Sequence, residues 1–303
     1  MKLPVGTLSL YIISLIFTAS INADTTQSYT DYRNNVIELP AGSASFVDRV
    51  VGRKKGKMKV KKKEDNPNNA LGEPDYRKPG DGHAFTLGCK GQATFEFTDN
   101  ALIDVAGIDF YIFEVGKDIE PMRVDLSNNG KNWLSIGKIS GGKVGIDIAD
   151  YNLKQQNFRF VRITDLGKFC SGEWPGADID AIAAVGSAVR LQLSSTVLFD
   201  TGKFEFKKDG NSALKELVDQ LKKLDVSKLI IIGHTDSKGS NSSNQALSKQ
   251  RAKTVKEHIL NALPHLTNKT EFKGQGESEP ITSNSTEQGR QKNRRVELIV
   301  RQK

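Results

Sequence analysis

Residues 233–255, GHTDSKGSNSSNQALSKQRAKTV, hold the side chains best suited to binding chemistry. Asp236 follows Leu229-Ile230-Ile231-Ile232, an apolar β-branched run that reads as a buried strand. It therefore falls just past the C-terminal end of a strand, where open α/β sheets put their ligands. Residues 233–243 are rich in glycine and serine and read as a loop. From about Asn244 a helical period begins, with Leu247, Val255 and Ile259 on one stripe. Arg251 lies midway between Leu247 and Val255 at i+4 steps, so a permanent cation occupies the stripe that should face the sheet. A carboxylate and a guanidinium at one edge of a cleft can together hold a ligand carrying both an amine and a carboxylate. The same spacing also suits an ordinary salt bridge, worth about 0–1 kcal/mol when exposed.

Gly233-His234-Thr235-Asp236, Gly239, Asn244, Leu247-Ser248 and Arg251-Ala252 resemble the peptidoglycan-binding signature of the OmpA C-terminal domain family, shared with Pal and MotB. Gly274-Gln275-Gly276-Glu277, Pro280, Asn284, Gly289-Arg290 and Asn293-Arg294-Arg295-Val296-Glu297 continue that pattern in order. Val197-Leu198-Phe199-Asp200 resembles the family's opening strand, so the likeness spans about residues 189–301. It implies binding rather than catalysis. Asp236 would accept from the ammonium of a diaminopimelate centre in a stem peptide, and Arg251 would clamp its carboxylate through a planar fork. Thr235, Asn244 and Leu247 stand at family positions lining the cleft, with Asp200 at its border. Arg294 and Arg295 could touch the ligand, but salt bridges at the sheet edge are the default expectation for both. None of the four histidines, His83, His234, His258 and His265, belongs to a recognisable catalytic triad.

The elements that must position these groups read β, α, β, α, β, β. A strand is expected over 191–199, then a helix over 211–224 with Leu214, Leu217, Val218, Leu221 and Leu224 at helical spacing. A strand over 229–232 follows, then a helix over 244–263 stopped by Pro264, and strands over 270–273 and 295–301. This fits the two-layer α+β sandwich that the resemblance implies.

The chain has 303 residues, enough for two domains, with a formal charge of +8. A basic chain can suggest nucleic acid, but residues 1–23 argue otherwise. Lys2, an apolar core over 8–17 and small or polar residues ending at Ala23 read as a secretory signal peptide. The mature chain is then expected in the periplasm, associated with the wall or outer membrane, with no transmembrane segment. Cys89 and Cys170 are the only cysteines, and in an exported protein they read as one disulfide. It would tie Leu87-Gly88 to Ser171-Gly172.

Residues 24–45 read as a polar leader with an edge strand over 36–39, and 46–187 as all-β. Ala93 to Phe97 alternate at period two, and Asn129-Gly130 joins strands over 122–126 and 133–136. Asn69-Ala70-Leu71-Gly72-Glu73-Pro74-Asp75, Val161-Arg162-Ile163-Thr164-Asp165 and Pro175-Gly176-Ala177-Asp178-Ile179-Asp180-Ala181 loosely resemble discoidin-like, galactose-binding jelly-roll sandwiches of bacterial surface proteins. That likeness implies glycan binding at loop tips, in some members with calcium. Asp75, Asp178 and Asp180 are the oxygen ligands to test, Asp178 and Asp180 sharing a strand face; they also suit turns and strand edges. The basic run over 53–63 reads as a solvated face, or as attraction to anionic envelope polymers or lipid head groups.

The expected architecture is thus a jelly-roll sandwich over 46–187 followed by an OmpA-like α+β domain over 188–303. The expected function is non-covalent peptidoglycan binding, with the sandwich serving a glycan or an outer-membrane protein. A calcium-dependent carbohydrate-binding adhesin, tethered by its C-terminal domain, is the alternative.

Overall fold

The computed structural model describes residues 26–116, 120–139, 145–151 and 157–302. The expected signal peptide over 1–23 lies outside them.

Alternating strands build the N-terminal half as two antiparallel sheets. One is ordered Arg49–Lys54, Gln92–Glu96, Phe160–Asp165, Met122–Ser127, Leu134–Ile139. The other is ordered Gly145–Ile146, Phe110–Glu114, Asp178–Ala184, Phe85–Thr86. Each strand turns alternate side chains inward, and Phe95, Val124 and Val161 of one sheet share a buried cluster with Phe85, Ile112 and Ile179 of the other. The intervening residues Tyr111 and Phe113 face the opposite way and meet Ile37, Leu39 and Phe46. The leader is therefore a packed layer: Gln27–Thr30 and Val36–Leu39 pair antiparallel and cover the back of the smaller sheet. The Asn129-Gly130 hairpin forms as expected, Gly130 taking φ 71° and donating its N–H to Ser127 Oγ at 2.9 Å.

Cys89 and Cys170 are bonded, with Cα atoms 5.1 Å apart. The flanking loops meet as expected, Leu87 N donating to Ala177 O at 2.9 Å. The bond closes a span of 81 residues. Removing that constraint should cost about 4.5 kcal/mol in the chain-entropy model. Urea unfolding with and without reductant checks this; coincident midpoints would contradict it.

In the C-terminal half the first strand is Ser187–Ser194, not 191–199, and one helical turn, Ser195–Leu198, follows. Leu198 and Phe199 are both buried, packing in the core of this half. The helices Asn211–Leu221 and Asn241–Ala262 match expectation, the second starting earlier because Ser240 Oγ caps it on Ser243 N at 3.2 Å. A short helix, Glu287–Asn293, was not expected. The sheet runs Ser187–Ser194, Arg295–Gln302, Val226–Gly233, Thr270–Gly274, with only the last pair parallel.

Ser187–Ser194 also pairs with Asn100–Ile103, which pairs with Asn157–Phe158. One six-stranded sheet therefore runs through the expected boundary at 187/188. Ile103 and Ala188 pack there with Ile232 and Ile299 in a buried cluster.

Candidate functional site

The strand Val226–Gly233 delivers residues 234–236 to the mouth of the sheet. Gly233 is required because the helix Asn241–Ala262 crosses it closely: a Cβ there would lie 2.0 Å from the Ser248 carbonyl oxygen. Thr235 N donates to Gly276 O at 2.8 Å, fixing the chain as it leaves the sheet. Asp236 then forms a tight turn, its Oδ1 accepting Lys238 N at 2.9 Å. Gly239 takes φ 100°, a left-handed conformation that a side chain would strain. Asn244 closes the loop, its Nδ2 donating to Asp236 O at 3.2 Å and to the Glu277 carboxylate.

Asp236 and Arg251 are both buried, but they do not pair with each other. Asp236 Oδ2 accepts from Arg294 Nη1, and Arg294 Nη2 donates to Glu287 Oε1 at 2.7 Å. Arg251 donates through Nε to Lys203 O at 2.9 Å and through Nη2 to Asp200 O at 3.2 Å, and lies over the Phe199 ring at 5.2 Å. The ordinary salt bridge that the spacing also suited is thus not the one formed: a second arginine, Arg294, holds the acid. Burial pushes the Arg251 guanidinium down to about 10, with Arg294 nearby adding to the fall and Asp236 opposing it. Arg251 remains charged at neutral pH.

The other expected residues fall unevenly around this centre. Thr235 is buried, and its Oγ1 has no hydrogen-bond partner among the described residues. Leu247 is half-buried. Asp200 is exposed; its backbone carbonyl meets Arg251, while its carboxylate lies 3.6 Å from the ammoniums of Lys203 and Lys207. Arg294 does form salt bridges, but its pairing with Asp236 and the part of Glu287 were not foreseen. The signal was the Asn293-Arg294-Arg295 run, but Arg295 turns the other way, to Glu297 at 2.5 Å.

Asp75, Asp178 and Asp180 are not brought to one point. The register shifts between Ile179 and Ala181, which interrupts the alternation that would have put Asp178 and Asp180 on one face. Asp178 bonds Thr86 Oγ1, Asp180 accepts Asp75 N and Tyr76 N, and Asp75 meets His83 Nδ1 at 2.6 Å. Among the described residues Asp104, Asp109 and Asp147 do lie close together, but both Asp109 oxygens already accept backbone N–H groups, from Val105 and Ile148.

Burial raises several carboxyls of the N-terminal half: Asp178, Asp180 and Glu114 to about 7 and Glu120 to about 8. In the unfolded chain they titrate near 3.8 or 4.5. Between these values the folded protein binds more protons, so stability falls as pH rises. The thermal midpoint should be higher at about pH 6.5 than at about pH 8.5, the four raised carboxyls outweighing His234 and His258, whose lowered values act the opposite way as unfolded histidines begin to protonate. An equal or lower midpoint at pH 6.5 would contradict it.

Residues 198–294 match the OmpA family model. Outer membrane porin F of Pseudomonas aeruginosa is 37% identical over 123 residues, covering 41% of this chain and 35% of that protein. Outer membrane protein A of Bordetella avium is 33% identical over 113 residues, covering 37% of this chain and 58% of that protein. The similarity therefore spans less than two thirds of either relative. Among solved structures, the cell wall anchor of the T6SS from Pseudomonas aeruginosa is 26% identical, covering 39% of this chain and 82% of that one, with a TM-score of 0.34. No helix among the described residues is long and apolar enough to cross a membrane.

Proposed function

We propose that this chain, whose residues 198–294 form an OmpA-family domain, is an exported envelope protein that holds peptidoglycan non-covalently in the periplasm. The ligand group is the zwitterionic centre of diaminopimelate in the stem peptide. The observation that carries this reading is one buried carboxylate, Asp236, beside two guanidiniums, Arg251 and Arg294. Asp236 has one bond on each oxygen from Lys238 N and Arg294, and a carboxylate offers about four lone-pair sites. An ammonium can therefore join without displacing either partner. Arg251 Nη1 has no hydrogen-bond partner among the described residues, leaving its N–H groups for the ligand carboxylate. The unpartnered Thr235 hydroxyl offers one further bond. Repetition along the wall polymer supplies effective concentration where a single stem binds weakly. The N-terminal sheets, read as a sandwich module, serve a separate ligand or partner.

The test compares two walls. The mature chain should co-sediment with sacculi whose stems carry diaminopimelate and not with sacculi whose stems carry lysine, which has the ammonium but lacks the side-chain carboxylate. Equal retention on both would overturn recognition of the zwitterion.

A further inference from the structure

The N-terminal half carries a second charged site that the wall-binding reading leaves unused. Eight of the eleven residues over 53–63 are lysine or arginine. The lysines among them are exposed, as a solvated run requires, yet several border one hollow. Arg53, Lys55, Lys59 and Lys62 converge on a cavity of ≈ 480 Å³, with Asp65 as the single acid in its wall. Its apolar lining is the buried Val60 and Leu87 with the exposed Met58. Small-molecule sites commonly occupy about 300–1,000 Å³ and combine such a lining with a few charged groups.

The wall is held in place. Arg53 Nη1 donates to Asp65 O at 2.8 Å, Nη2 pairs with Asp65 Oδ1, and the guanidinium lies 5.1 Å from the Phe85 ring centre. Lys55 Nζ meets Asp65 Oδ2 at 2.9 Å. Lys57 N donates to Cys89 O at 2.9 Å, and Gly56 packs so closely on Gly88 that a Cβ would lie 2.5 Å from its carbonyl carbon. The disulfide loop therefore braces the basic loop. Asp65 neutralises part of the charge, while Lys59 and Lys62 have no acidic partner among the described residues. The Nε of Arg53 is buried without a hydrogen-bond partner.

We propose that this cavity binds a phosphorylated sugar, free or as the head of a larger envelope molecule. The Arg53 fork is already committed to Asp65, so the planar clamp that favours a carboxylate is taken. The free cations are lysine ammoniums, point charges suited to a tetrahedral, multiply charged acceptor. The apolar lining and the volume leave room for a ring beyond the phosphate. This site lies in the other half of the chain and does not rest on Asp236.

Calorimetry of the mature chain at low ionic strength, with glucose 1-phosphate as the probe, tests it. Glucose 1-phosphate should bind, glucose should not, and Lys59→Gln with Lys62→Gln should weaken binding at least tenfold with the thermal midpoint unchanged. No heat with glucose 1-phosphate, or unchanged affinity in the double variant, would overturn the proposal. Equal affinity for inorganic phosphate would assign the cavity to a bare anion and overturn the sugar. Binding only to phosphatidylglycerol vesicles would reassign the basic loop to a membrane surface and overturn it too.

Discussion

Asp236→Asn should lower affinity for a diaminopimelate-bearing stem peptide by about ten- to a hundredfold, the equivalent of one charge-assisted hydrogen bond of about 1.5–3 kcal/mol. The substitution keeps an oxygen for Lys238 N, and Arg294 retains Glu287, so the fold should persist. What disappears is the negative charge that the ligand ammonium needs. Arg251→Lys should cause a comparable loss by removing the planar fork. That variant also gives up contacts to Asp200 O, Lys203 O and the Phe199 ring, so its thermal midpoint will fall as well. The Asp236 variant is therefore the cleaner measurement. Calorimetric affinity unchanged in Asp236→Asn would remove the carboxylate from the site.

The largest effect on stability should come from a residue that touches no ligand. Glu297 is buried between Arg190, whose Nη2 reaches its Oε1 at 2.6 Å, and Arg295, whose Nε reaches the same oxygen at 2.5 Å. Arg190 Nη1 also donates to Thr98 O at 3.1 Å, so the cluster bridges the two halves of the chain. Glu297→Gln would strand two buried guanidiniums without their ion-pair partner, a loss of about 3–5 kcal/mol. Burial by itself raises the Glu297 carboxyl, but Arg190 and then Arg295 more than offset it and hold the group well below 4.5. Its contribution is therefore fully present above the unfolded value of 4.5 and is lost as pH falls through the folded one. Denaturant unfolding at neutral pH and near pH 4 should show the wild type losing stability toward acid more steeply than the variant. A variant as stable as wild type at neutral pH would contradict this view of the cluster.

The centre of the site was legible because its chemistry is local. A strand, a glycine turn and an i+4 stripe put Asp236 beyond the sheet and Arg251 on its inner face, and both are buried there. The partner of Asp236 was not legible. Arg294 is 58 positions away and leaves a seven-residue polar helix, Glu287–Asn293, with no apolar period to announce it. The first strand of the C-terminal half was displaced because an apolar run, Val197-Leu198-Phe199, fits a strand or a buried turn equally well. Asn100–Ile103 is too short to reveal that it pairs across the junction. The oxygen set Asp75, Asp178 and Asp180 rested on period-two alternation, and a bulge, a one-residue change of register, is something periodicity cannot show.

The most direct test of the central claim is a crystal structure of the mature chain with a diaminopimelate-bearing stem tripeptide. The account predicts the free ammonium against the Asp236 carboxylate and Thr235 Oγ1, with the adjacent carboxylate on Arg251 Nη1. A bound fragment that leaves Asp236 held by Arg294 alone, with its charged centre elsewhere on the domain, would contradict it.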